Sequence, residues 1–213
     1  MIGRALREFT STDPLVRLRA LEKVVERLLW RLPREKVDQH LEIPPPLPQR
    51  VLEGAKLYAD RTTMLTALPK GGVVAEVGTW RGDFSRTIIG TCRPEAFHLV
   101  DIDFSPMASD VEGIRHEGDS STILRSFPAA SFDWIYIDGD HSYEGVRKDL
   151  EAAHLALKPG GYLMCNDYTN WCSPAVQPYG VSKAVNEFVV REDYRVCGFA
   201  FEPAGNNDIL LRK

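Results

Sequence analysis

Apolar and polar positions change rhythm several times along the chain. Leu18, Leu21, Val25, Leu28 and Leu29 recur at helical spacing, Asp13-Pro14 supplies an N-cap and a first-turn proline, and Pro33 stops the run. This predicts an amphipathic N-terminal helix. The segment Ile43-Pro44-Pro45-Pro46-Leu47-Pro48 cannot continue it and favours an extended chain. A second helix is expected over 49–67. Beyond it short apolar runs alternate with helical stretches: strands at 73–77, 97–100, 114–117, 132–137 and 162–165, helices at 83–89, 143–157 and 181–190, then strands at 195–201 and 208–211. Alternation of this kind predicts an α/β fold with a mostly parallel sheet covered on both faces. The near-continuous apolar character of 73–77, 132–137 and 162–165 fits burial on both sides. The last two strands are joined by a turn-rich linker holding Pro203, Gly205, Asn206 and Asn207, which predicts an antiparallel hairpin. The expected architecture is a doubly wound seven-stranded sheet ending in that hairpin, as residues 49–213, preceded by a helical appendage and linker, residues 1–48.

A chain of 213 residues can bury a core without disulfides or a structural metal. Its net charge of −4 argues against general nucleic-acid binding. No apolar run approaches the ~20 residues that span a bilayer, and the first residues lack the apolar stretch of a secretory leader. Cys92, Cys165, Cys172 and Cys197 form no C-x-x-C pair, so reduced thiols and a cytoplasmic setting are expected. The N-terminal helix carries Arg17, Arg19, Lys23, Arg27 and Arg31, but Glu22 and Glu26 offset them, which disfavours a membrane surface. Packing on the main domain, a homodimer contact and a lid over a substrate pocket stay open for it.

Ligands of open α/β sheets bind outside the carboxyl ends of the strands. Each predicted parallel strand ends near a carboxylate: Glu76 and Asp83 about the first loop, Asp101 and Asp103, Asp119, Asp138 and Asp140, and Asp167. The first loop, Glu76-Val77-Gly78-Thr79-Trp80-Arg81-Gly82, departs from a dinucleotide fingerprint. Trp80 stands where a glycine would let backbone approach a pyrophosphate, and Asp83 opens the helix whose N-terminus would hold it. Asp101, 19 residues beyond Gly82, still suits ribose hydroxyls. An adenosine without phosphates and carrying a cation fits such a rim, as S-adenosylmethionine does.

The sequence resembles the class I S-adenosylmethionine-dependent methyltransferases, which have a Rossmann-like sheet, over about residues 72–213. The first loop, Asp101, Gly118-Asp119-Ser120, the run Tyr136-Ile137-Asp138-Gly139-Asp140-His141-Ser142-Tyr143, Leu157-Lys158-Pro159-Gly160-Gly161 and Asn166-Asp167-Tyr168 carry the likeness. Among small O-methyltransferases it is most similar to the group with macrolide-sugar methyltransferases and cephalosporin-hydroxylase-like proteins. The resemblance implies that Glu76, Gly78 and Thr79 lie at the methionine part of the cofactor, with Asp101 on the ribose, Asp119 and Ser120 at the adenine, and Asp138 beside them. It implies His141 as general base and Asp138, Asn166 and Asp167 at the positions that hold Mg²⁺ in metal-dependent members. The departure is Asn166, an uncharged amide where an acid is usual, which lowers the expected metal affinity. Asp138 as a helix cap and His141 as a surface residue are the structural alternatives. His40, His98, His116 and His154 have no partner pattern. Tyr168, Trp171 and Tyr179 either wall an acceptor pocket or belong to the core. The expected activity is O-methylation of a small sugar-like or polyhydroxylated acceptor. The alternatives are a nicotinamide-dependent oxidoreductase and a non-catalytic binding protein of the same fold.

Overall fold

The computed structural model describes residues 12–31, 41 and 43–213. The chain divides into two compact units, residues 1–41 and 42–213. In the first, α1 (Pro14–Arg31) begins where expected, with Asp13 Oδ1 accepting the Leu15 N–H at 2.8 Å. Leu15, Leu18, Leu21 and Val25 are exposed on it. Pro33 and His40 lie outside the described residues.

The second unit opens with the proline-rich stretch, where Pro45 C=O accepts from Asn186 Nδ2 at 2.7 Å. Its elements are α2 (Gln49–Leu52), β1 (Lys56–Tyr58), α3 (Arg61–Leu65), β2 (Val73–Val77), α4 (Asp83–Cys92), β3 (Ala96–Asp101), β4 (Ile114–Glu117), α5 (Ser120–Ser126), β5 (Phe132–Ile137), α6 (Tyr143–Ala156), β6 (Leu157–Cys165), β7 (Trp171–Cys172), β8 (Gln177–Pro178), α7 (Val181–Arg191), β9 (Arg195–Ala200) and β10 (Asp208–Arg212). The main sheet runs β1-β9-β10-β6-β5-β2-β3-β4, with β10 antiparallel to both neighbours and the other pairings parallel. The order reverses between β2 and β5, the switch point where a ligand crevice opens.

Two expectations need correction. The sheet has eight strands rather than seven, and the helix expected over 49–67 is broken into α2, β1 and α3. Gly54 ends α2 region helicity at φ +81°, and Asp60 starts α3 by accepting the Thr63 N–H at 2.7 Å. β1 exists because it pairs with β9, distant in sequence, which local periodicity cannot register. The short α5 was not anticipated; it has under two turns and little apolar pattern, and Asp119 caps it.

Side chains of the sheet alternate between two apolar layers. Ala75, Val77, Ile135, Ile137 and Leu163 pack with Leu124, Leu150 and Phe188 of α5, α6 and α7. Val74, Leu99, Trp134, Tyr136 and Met164 pack with Met64, Leu65 and Ile88 of α3 and α4. Two carboxyls are built into this interior at the carboxyl edge. Glu76 is 1% exposed and accepts from Ser85 Oγ at 2.5 Å; Asp208 is 2% exposed at the start of β10. Because β10 is antiparallel, its first residue reaches the edge where the parallel strands end. Burial pushes both groups up to about 8, against the Ser85 hydrogen bond at Glu76 and the Arg61 charge at Asp208.

The sign of the resulting pH dependence follows. Both folded-state values lie above the ordinary 4.5 and 3.8, so between about pH 4 and pH 8 the unfolded chain releases protons that the folded chain keeps. Stability falls across that window by up to about 1.4 kcal/mol per pH unit for each group, and levels off above it. Urea unfolding at pH 5.5, 6.5 and 7.5 should show this decline, and Glu76→Gln should make it shallower. An equal slope in wild type and variant would mean that Glu76 does not fold in its neutral form.

Candidate active site

Outside the ends of β2, β3, β4 and β5 lies a cleft of about 730 Å³ lined by Gly78, Trp80, Asp101, Ile102, Asp103, Pro106, Gly118, Asp119, Ser120, Asp138, Gly139 and Asp140, with Val77 and Val100 at its floor. Its size is that of a small-molecule site. Five carboxylates line it and no Lys or Arg does.

Asp101 organises the first loop. Its Oδ2 accepts Thr79 N–H at 2.7 Å, Thr79 Oγ1 at 3.0 Å and Trp80 N–H at 3.0 Å, while Oδ1 takes Asp103 N–H at 3.3 Å. Burial alone would raise Asp101, but the Trp80, Thr79 and Asp103 donors outweigh it and hold the carboxyl below its ordinary range. Trp80 has φ +45°, a left-handed conformation uncommon for such a residue. Its indole is 62% exposed at the cleft, with the Arg81 guanidinium 4.4 Å from the ring centre. Asp119 caps α5 by accepting Thr122 N–H at 2.8 Å, which lowers its carboxyl. Ser120 Oγ donates to Asp149 Oδ1 at 2.5 Å, and burial pushes Asp149 up to about 6.

A second cluster gathers where β5, β6 and β10 meet the cleft. His141 Nε2 lies 3.3 Å from Asp138 Oδ1 and 3.3 Å from Asp167 Oδ2, and its ring stacks on Tyr179 with centroids 4.5 Å apart. Burial would lower the imidazole, but the nearby Asp138 carboxylate, with Asp167 and Asp140, raises it. Asp167 is raised by burial, against the pull of His141. Asn166 Nδ2 donates to Asp138 Oδ1 at 2.7 Å, and its Oδ1 faces Arg61 Nη1 at 3.4 Å. Arg61 also donates to Tyr136 OH at 3.1 Å and lies over the Phe84 ring at 4.5 Å.

The metal set expected from the resemblance does not fit this arrangement. Asn166 presents its amide hydrogens, not its oxygen, to Asp138, and a divalent cation needs oxygen donors. Rotating the amide would set its NH₂ against the Arg61 guanidinium and its oxygen against the Asp138 carboxylate, so both neighbours fix the orientation. Among the described residues no group of three or more His, Cys, Asp or Glu side chains is placed to hold a metal ion.

Of the residues singled out from sequence, Gly78, Asp101, Asp119, Ser120 and Asp138 line the cleft. Thr79 is buried behind it as a donor to Asp101, and Glu76 lies beneath, closed off by Ser85. His141, Asn166 and Asp167 join Asp138 in the second cluster. Tyr179 belongs to that cluster, Tyr168 donates to Asn186 Oδ1 at 2.5 Å and packs on the core, and Trp171 lies in the β7–β8 hairpin. His98 and His116 pair with each other at 2.9 Å, and His154 pairs with Tyr194 at 3.1 Å. The four cysteines are free thiols, and burial raises Cys165 far above its ordinary value. Sequence reasoning missed Arg61 and Asp208. No motif marks Arg61, but the antiparallel hairpin already implied that position 208 shares the functional edge. Among the described residues no helix is long and apolar enough to cross a membrane.

Comparison with known proteins agrees with this geometry. Residues 75–168 match the family described as "Methyltransferase domain". A protein of Acanthamoeba polyphaga mimivirus without known function is 37% identical over 68 residues, a match covering 32% of this chain and 28% of that protein. The chain thus spans well under two thirds of that relative's length. An S-adenosylmethionine-dependent methyltransferase from Archaeoglobus fulgidus has the same fold at a TM-score of 0.54 and 13% identity, covering 72% of this chain and 90% of that one. One from Mesorhizobium loti gives 0.52 and 16%, covering 70% and 96%. The Burkholderia thailandensis 1,6-didemethyltoxoflavin N1-methyltransferase, solved with S-adenosylhomocysteine, gives 0.52 and 15%, covering 71% and 76%. Residues 75–168 thus match a methyltransferase domain, and the chain shares the doubly wound sheet of these solved methyltransferases.

Proposed function

We propose that the protein transfers a methyl group from S-adenosylmethionine to a hydroxyl of a small sugar-like or polyhydroxylated acceptor, with His141 as general base. One observation carries the choice of a hydroxyl. A neutral amine can attack as it stands, whereas a sugar or catechol hydroxyl is a poor nucleophile until it loses its proton. His141, braced by two carboxylates beside the cleft, is a group that can take one.

S-adenosylmethionine supplies an electrophilic methyl on a sulfonium, which leaves as a neutral thioether after in-line attack. The chain's task is positioning and proton transfer. Asp101, ionised and locked by the 79–80 loop, accepts from the ribose hydroxyls through the capacity left at Oδ1. Asp119 and Ser120 flank the adenine, and the Gly78 backbone lies along the methionine part. Glu76 acts from below, holding α4 through Ser85 rather than touching ligand. With Nε2 directed to Asp138 and Asp167, Nδ1 of His141 is the nitrogen left to accept the acceptor proton. The carboxylates then stabilise the imidazolium.

Calorimetric titration tests the cofactor. S-adenosylhomocysteine should bind and NAD⁺ should not, and Asp101→Ala should weaken the former more than tenfold, which is more than about 1.4 kcal/mol. Unchanged affinity would contradict the ribose assignment. For the base, methyl transfer from labelled cofactor to a panel of sugars, glycosides and catechols should fall by roughly 10²-fold or more in His141→Ala, with S-adenosylhomocysteine affinity kept. Full turnover in that variant would remove His141 from the mechanism.

A further inference from the structure

We propose that Arg61 and Asn166 together close this site to divalent cations, the Arg61 guanidinium serving as the site's own positive charge and as a positioning residue that, through the Asn166 amide, aims Asp138 at His141. The inference rests on the placement of the acceptor-side chemistry given above, but not on methyl transfer itself.

Three carboxyls converge here: Asp138, Asp167 and the buried Asp208. Such a cluster needs protons, a metal ion or a cationic side chain. Arg61 supplies the last in a form that cannot be shed, because guanidinium keeps its proton at any working pH. It is held from three sides, by Tyr136 OH, Asn166 Oδ1 and the Phe84 ring, and against the cost of its burial the nearby Asp138 favours its charge. The same contact turns the Asn166 NH₂ onto Asp138 Oδ1, the oxygen nearest His141 Nε2. That oxygen already accepts the amide hydrogen and faces His141, which leaves a cation to compete with both for it. A dication would also meet Arg61 as a like charge. The segment that delivers Arg61 is β1–α3, the same segment that adds the eighth strand.

Manganese(II) titration of the full-length protein by calorimetry, with S-adenosylhomocysteine titrated separately, tests this. Wild type should give no saturable manganese binding at millimolar ion. The double variant Arg61→Leu/Asn166→Asp, which restores a second acid and removes the cation, should bind manganese at least tenfold more tightly than wild type. Arg61→Lys/Asn166→Asp, which keeps a positive charge, should stay closed. Saturable submillimolar binding by wild type that Asp138→Asn abolishes would overturn the proposal, as would a leucine double variant no better than wild type. If the leucine variant shows no cooperative thermal transition, Asn166→Asp alone decides: with Arg61 in place it should still exclude manganese, and tight binding would refute the role of the guanidinium. Failure of wild type to bind S-adenosylhomocysteine would count against the methyltransferase reading and leave the manganese result standing.

Discussion

A parallel sheet delivers the ends of its strands to one edge, and this chain places an acid at nearly every one. Two carboxylates 4 Å apart repel by about 4 kcal/mol at an effective dielectric constant of 20, so the edge could not fold with all of them charged and unsupported. The structure relieves the crowding by four different means. Asp101 is ionised by backbone N–H donors. Asp119 is ionised at the start of α5. Asp138 and Asp167 face His141, with Arg61 set near them through Asn166. At Glu76 and Asp208, the most deeply buried, burial outweighs the donors and the Arg61 charge that reach them, and both keep their protons. Each device depends on the register of a different strand, so the site and the fold stand or fall together.

The same distribution explains what the cleft can accept. Its lining is acidic and holds no Lys or Arg, which disfavours the polyphosphate of a dinucleotide and favours a cation. The absence of a glycine at position 80 works in the same direction, although not by a bulky ring filling the loop. The Trp80 indole stands exposed at the cleft against Arg81, and the backbone N–H that would otherwise meet a phosphate is already given to Asp101. Exclusion here comes from charge and from committed donors more than from bulk.

Much of this was legible in the residues. Apolar runs located β2 and β5 to the residue, because they are buried on both faces and carry continuous apolar signals, but only the last four residues of β6, whose start at Leu157–Gly161 reads as a helix end and turn. The functional edge followed from strand direction alone. What escaped has a common cause: it depends on contacts between distant segments. β1 is three residues long and is a strand only beside β9. Arg61 sits in a stretch whose local pattern reads as helix, and its role emerges only when α3 meets Tyr136 and Asn166, 75 and 105 residues away in sequence. Asn166 was visible as an anomaly, but an amide in place of an acid has no meaning until its neighbours fix which of its two ends faces the carboxylate.

Asp138 ties the two halves of the site together. It lines the cleft, yet its Oδ1 receives the Asn166 amide and faces His141. Its backbone is equally constrained. The Asp138 N–H bonds Val77 C=O at 2.8 Å, and Gly78 passes so close to the Asp138 carbonyl that any side chain at position 78 would collide with it; Gly78 also has φ +79°. The first loop, which shapes the cleft, and the end of β5, which presents the acid to His141, are therefore packed backbone to backbone. A displacement of one moves the other, so the distance between the cleft and the imidazole is set by covalent geometry and two hydrogen-bond ladders, not by flexible side chains. An in-line transfer, whose rate depends on holding the attacking and departing atoms in register, requires such a frame.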